Sequence, residues 1–247
     1  MNASSRFPRL AATLAGWGGA LALAVGALHL GTSSAAEPAV KIPPPAADET
    51  AASANGMQSV VFAGGCFWGV QGVFQRVQGV SQAVSGYSGG KASTAKYEMV
   101  TSGLTGHAEA VKITYDPKKV SYGTLLQIYF SVAHDPTQLN RQHPDVGPQY
   151  RSAVFYADAA QKATTEKYIA QLDAAKVYRN KIVTQVVPLA EFYSAEAYHQ
   201  DYLTLNPTQG YIVHHDLPKI VNLKNMFPQQ YRAEPALVMA RAGKAQQ

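Results

Sequence analysis

The chain carries a single cysteine, Cys66, within the run GGCFWG at residues 64–69. The thiolate is the reactive form of cysteine, and an ordinary thiol titrates near about 8.5. Gly64 and Gly65 interrupt an apolar run. Apolar residues then recur at Val70, Val73, Phe74 and Val77, the i, i+3, i+4, i+7 spacing of one helix face. The pattern predicts a strand–turn–helix junction with Cys66 in the first turn of the helix. Unpaired N–H groups and the positive end of the helix dipole would favour thiolate there, and the glycines permit a tight turn. Cysteine is also among the most often buried residue types, so a structural cysteine is the competing reading.

Glu109 is the second candidate. In HAEAVKITYDP, residues 107–117, Glu109 shares the parity of Val111, Ile113 and Tyr115, which puts a carboxyl group on the apolar face of a strand. A carboxyl buried in that way keeps its proton and can act as a general acid. The alternative is a strand start where alternation is loose. Phe67 and Trp68 point to different sides of a helix, so they either wall a pocket beside the thiol or pack in the ordinary way. His107, His134, His143, His199, His214 and His215 lack ligand spacing and read as surface or capping residues. No metal site and no nucleotide fingerprint is expected. A Cys–His hydrolytic pair is conceivable, but nothing in the sequence selects a histidine for it.

Several elements must position these groups. SVVFA (59–63) reads as a buried strand and 107–117 as an alternating strand. Ser121 is a plausible cap for a helix over 122–134. After a polar loop come a strand at RSAVFY, a helix over DAAQKATTEKYIAQLDAAK, a strand at KIVTQVVPL and a short helix at SAEAYHQDYLTL. Strands and helices alternate imperfectly, which predicts an α+β fold.

The 247 residues suffice for one core. The formal charge is +5, but the basic residues are scattered and Lys118-Lys119 is their only tight pair, so no nucleic-acid face is expected. Residues 1–36 read as a signal peptide. Arg6 and Arg9 precede an apolar run from Leu10 to Leu30, and Ser34 and Ala36 suit cleavage before Glu37. The alternative is a membrane anchor over residues 10–30. Either way the chain is expected to be exported, periplasmic or secreted, where an unpaired cysteine suggests a reactive or intermolecular thiol. Residues 37–57 read as an Ala/Pro-rich linker or disordered arm, 58–231 as the folded domain, and 232–247 as a frayed tail.

GGCFWG, GYSGG (86–90), GHAEAV (106–111), HDPT (134–137), GPQYRS (147–152), YHQDYL (198–203) and the ending DLPKIVNLKNMFPQQY (216–231) together resemble the A-type peptide methionine sulfoxide reductases. The resemblance implies a two-layer α/β plait of the ferredoxin-like kind and reduction of methionine-(S)-sulfoxide, with no metal or organic cofactor. It places the nucleophile on Cys66 and the acid on Glu109. Phe67 and Trp68 match the pocket for the substrate methyl group, Tyr97 and Tyr150 the hydroxyls that bind the sulfoxide oxygen, and Asp145 an acidic residue that fixes the site through water. Many members carry resolving cysteines near the C-terminus. Here the corresponding segment is NPTQGYIV, with Ile212 where a cysteine might stand. The reductant is therefore expected to be external: a thioredoxin-like or glutaredoxin-like protein, or a small thiol. Repair of oxidised exported proteins and a monomeric state complete the expectation. A module that binds oxidised methionine without turnover would need neither thiol nor acid, and a thiol peroxidase would need no methyl pocket.

Overall fold

The computed structural model describes Met1, residues 38–48 and residues 56–239. The proposed signal sequence therefore lies outside the described residues. β1 (Gln58–Ala63) leads through Gly64 and Gly65 into α1 (Phe67–Gln75), then β2 (Val80–Ser88), α2 (Tyr97–Val100) and β3 (Ala108–Tyr115). α3 (Tyr122–Ile128) continues into a π-helical turn at Tyr129–Ala133, with Ser121 capping it by accepting from the Thr124 N–H. A small hairpin, β4 (Arg141–Gln142) and β5 (Asp145–Val146), precedes a 3₁₀ turn at Pro148–Tyr150. There follow β6 (Ala153–Tyr156), α4 (Ala159–Ala174), β7 (Gln185–Pro188), β8 (Phe192–Ser194), a 3₁₀ turn at Ala197–His199, α5 (Tyr202–Leu205), a π-helical turn at Ile212–Asp216 and α6 (Leu217–Met226).

The fold is a mixed α/β structure. Six strands form one sheet in the order β7-β6-β1-β3-β2-β8. All neighbours run antiparallel except β6 and β7. One face carries Val60, Phe62, Val111, Ile113 and Val154, and α1, α3 and α4 bury it. The other face carries Val61, Ala63, Ala108, Ala110, Ala153 and Phe155 and is packed by Val187, Leu189 and Phe192. The parity read for β3 holds: Glu109 lies on the helix-covered face with Val111 and Ile113 and is paired across the ladder with Tyr87.

The structure differs from the sequence reading in several elements. β2 was not expected. Its run VSQAVSGYS has few large apolar residues, yet β3 and β8 flank it and bury Ser85, Gly86 and Ser88. β8 and α6 were also missed. The short helix expected near 194–205 is broken at Asp201, which adopts φ 58°. The supposed linker is structured over residues 38–48. Ile42 is 6% exposed within the core, and Val40 exchanges hydrogen bonds with Ser131. Tyr168 and Gln171 donate to the carbonyls of Pro43 and Pro44, and Asp48 accepts from the Gly123 N–H. Prolines have no N–H to satisfy, so an extended Pro-rich strap can dock through its carbonyls. The start of the supposed tail is docked too: the Arg232 N–H donates to the Arg76 carbonyl, and Asp201 accepts from the N–H groups of Val238 and Met239.

Candidate active site

Cys66 is the N-cap of α1, one position before the first turn. Gly65 makes this approach possible. It sits at φ +85°, and a Cβ there would lie 2.5 Å from the Gln142 side chain. A buried polar brace holds the strand end behind it. The Tyr129 hydroxyl donates to the Ala63 carbonyl, while His134 bonds Ser152 through Nε2 and the Tyr129 carbonyl through Nδ1.

Glu109 reaches the same point from the start of β3. Its Oε2 accepts the Phe67 N–H at 3.0 Å. Thus the residue after the cysteine supplies one of the unpaired helix N–H groups to the acid. Burial pushes the Glu109 carboxyl up to about 8; the Phe67 N–H opposes this, and the charges of Asp145 and Asp216 add to it.

The expected thiolate is corrected by the structure. Burial pushes the Cys66 thiol well up, and the negative charges of Glu109, Asp216 and Asp145 add to the shift. The Trp68 N–H pulls the other way and is outweighed. A partial charge at a helix end loses to desolvation when the cysteine is only 9% exposed.

All seven residues singled out in the sequence meet in one cavity of about 180 Å³. Cys66, Phe67, Trp68, Tyr97, Glu109, Asp145 and Tyr150 line it, together with Tyr211. Phe67 is buried, while Trp68 is half-buried and stacks on Tyr202 with centroids 3.9 Å apart. Tyr97 opens α2, where its N–H donates to Glu196. Tyr150 closes the 3₁₀ turn after β5. Burial raises both phenols, and the charge of Glu109 adds to that. Asp145 accepts a short hydrogen bond from the Tyr211 hydroxyl.

Tyr211 was missed, although it stands beside Ile212, where the sequence was searched for a cysteine. Ile212 itself is fully buried. Asp216 was missed as well. It is completely buried, paired with Lys219 at 3.2 Å, and packed so closely on Gly69 of α1 that a Cβ at 69 would clash with it. The histidines are corrected too: His107, His134 and His199 are buried at 2%, 6% and 2% exposure rather than on the surface.

At neutral pH the cavity therefore holds a thiol, a protonated carboxyl group and phenols that keep their protons, beside an aromatic wall. Such a site suits a neutral ligand with a strong hydrogen-bond acceptor and an apolar end, next to a redox-capable sulfur. That defines a thiol-dependent oxidoreductase. The comparisons specify which one. A family model described as peptide methionine sulfoxide reductase matches residues 58–231. Peptide methionine sulfoxide reductase MsrA 2 of Mesorhizobium japonicum is 60% identical over 188 residues, 76% of this chain and 96% of that protein. The MsrA 2 of Synechocystis is 44% identical over 216 residues, 87% of this chain and 99% of that protein. Among solved structures, methionine sulfoxide reductase A of Corynebacterium diphtheriae superposes with a TM-score of 0.54 at 34% identity, covering 69% of this chain and 85% of that one. The chain belongs to the peptide methionine sulfoxide reductase family, A type, the peptide-methionine (S)-S-oxide reductases, and with one cysteine in its sequence it is a one-cysteine form.

Proposed function

We propose that the chain reduces methionine-(S)-sulfoxide, free or within proteins, with Cys66 as nucleophile and Glu109 as acid. The observation that carries this reading is the Phe67 N–H bond to Glu109, which holds a carboxyl raised to about 8 in the cavity that contains the cysteine sulfur. The sulfoxide oxygen accepts from the Glu109 carboxyl and from the Tyr97 and Tyr150 hydroxyls. The S-methyl end lies against Phe67 and Trp68. Asp145, tied to Tyr211, orders the polar side of the cavity.

Hydrogen bonding to its oxygen makes the sulfoxide sulfur electrophilic. The Cys66 sulfur attacks it, Glu109 gives its proton to the oxygen, and the thiol proton replaces that proton on Glu109. The sulfur–oxygen bond of the substrate then breaks, and the hydroxyl ends on Cys66. The balance is thiol plus sulfoxide giving sulfenic acid plus thioether, with two electrons passing from Cys66 to the substrate. A first external thiol condenses with the sulfenic acid, releasing water and forming a mixed disulfide. A second thiol releases Cys66. With no second cysteine in the chain, both come from outside: a thioredoxin-like or glutaredoxin-like protein, or a small thiol.

We read residues 1–36 as an export signal, which makes oxidised exported proteins the substrates, and the enzyme as a monomer. We also read the path β1–α1–β2–β3–α3–β6 as the ferredoxin-like plait. The central order β6-β1-β3-β2 interleaves two crossover units, which supports that reading.

The test incubates the full chain with racemic methionine sulfoxide and dithiothreitol and follows both epimers by chiral chromatography. Loss of the S epimer alone is expected, and none with Cys66→Ser. Persistence of both epimers would overturn the proposal.

A further inference from the structure

The run EAYHQDY at residues 196–202 lies behind the cavity and grips two of its walls. Glu196 accepts from the Tyr97 N–H through Oε1 and from the Tyr87 hydroxyl through Oε2. Tyr202 stacks on Trp68 with planes 11° apart. Between them His199 is 2% exposed. Its ring centroid lies 5.0 Å from that of Phe67 and 4.4 Å from that of Tyr97. Its Nδ1 accepts the Trp68 indole N–H at 3.2 Å. His199 thus touches three residues that line the cavity without lining it itself.

An accepting Nδ1 requires a neutral ring with its proton on Nε2. That nitrogen is buried and has no hydrogen-bond partner among the described residues. The contrast with the other buried histidines is informative. His134 and His107 each use both ring nitrogens. His199 uses one, and that one serves Trp68. Phenylalanine would fill the same volume without leaving a buried nitrogen unpaired, so what histidine adds at 199 is the acceptor for the indole.

We propose that His199 is a positioning residue for substrate binding: it fixes the Trp68 indole as the wall against the sulfoxide's methyl end. This rests on the reading of the cavity as the sulfoxide site. It gives His199 no part in proton transfer between Cys66 and Glu109. Loss of the acceptor frees the indole and leaves a partly buried donor unpaired, which weakens binding more than chemistry.

Trp17 and Trp68 are the only tryptophans, so in the full chain with Trp17→Phe the emission reports Trp68 alone. In that background His199→Phe is expected to raise KM for methionine sulfoxide about tenfold, with kcat changed less than about threefold, and to shift the emission of the free enzyme to shorter wavelength. His199→Asn, whose Oδ1 takes the place of Nδ1, is expected to restore most of both. Unchanged KM and emission in His199→Phe would overturn the proposal. So would equal losses in both variants, which would make His199 a packing residue only. A parent enzyme that reduces no methionine sulfoxide would sink the reading of the cavity instead, and the emission of the two variants would then decide the Trp68–His199 contact by itself.

Discussion

Phe67 and Glu109, 42 positions apart, are joined by a 3.0 Å hydrogen bond from the Phe67 N–H to Oε2. The bond makes the helix that carries the nucleophile also the support of the acid. It satisfies one carboxyl oxygen and leaves the other for a proton. Burial outweighs it, so the carboxyl is still mostly protonated at neutral pH.

Glu109→Gln keeps an acceptor for Phe67 and loses the proton. The rate of sulfoxide reduction should fall by about 10²–10⁴-fold, the range for a lost general acid. In the parent enzyme the rate should hold below about pH 8 and fall above it as Glu109 ionises. Initial rates between pH 6 and 10 check both; a parent profile with no decline above 8, or a variant at full rate, removes Glu109 from the role.

The same carboxyl links stability to pH. Its folded pKa of about 8 stands above the ordinary 4.5. Between these values the unfolded chain gives up a proton that the native chain keeps, so this contribution is full below 4.5 and is lost as pH rises toward 8. Glu109→Gln should therefore gain in melting temperature relative to the parent as pH rises from 5 to 8. A constant difference across that range would contradict the raised pKa.

Cys66 should behave as a slow thiol in the absence of substrate. Burial and the charges around it favour the protonated form. Iodoacetamide should alkylate it at pH 7 more slowly than a free thiol such as N-acetylcysteine. Reaction faster than that reference would restore the activated thiolate.

The site was more legible than the scaffold. Cys66, Glu109 and the aromatic pair were candidates because glycine punctuation and strand parity are local signals, but each had a rival structural reading that only the motifs set aside. The motifs added Tyr97, Asp145 and Tyr150. Tyr211 and His199 gave no such signal, because their roles come from tertiary contact: one donates to Asp145, the other accepts from Trp68. The protonation of Cys66 was misread since sequence shows the helix end but not the burial. β2 was lost because a strand between two others can bury serine and glycine. The strap at 38–48 was lost because its carbonyls, rather than its side chains, make most of its hydrogen bonds.

That strap carries a prediction of its own. Ile42 is buried among core residues, and Tyr168 donates to the Pro43 carbonyl beside it. Ile42→Ala should cost about 2 kcal/mol or more, a fall of roughly 4–8 °C in Tm for a domain of this size. Calorimetry on the full chain checks it. A change under about 1 °C would mean that the strap is not held in solution.

His134 offers the complementary test of the brace behind the cysteine. Both its nitrogens are bonded, to Ser152 and to the Tyr129 carbonyl, and burial lowers its pKa from 6.5 to about 4 against the pull of that carbonyl. Below 6.5 the unfolded histidine takes up a proton that the native one refuses. Stability from this group is therefore full above 6.5 and is lost progressively down to about 4, by up to roughly 3 kcal/mol. His134→Gln can keep one polar contact but does not titrate. The difference in unfolding free energy between parent and variant, measured by denaturant at pH 7, 6, 5 and 4.5, should narrow steadily toward acid because only the parent loses this contribution. A difference independent of pH would show that His134 is protonated as easily in the fold as out of it, and the brace would then have to accommodate an imidazolium below about pH 6.5.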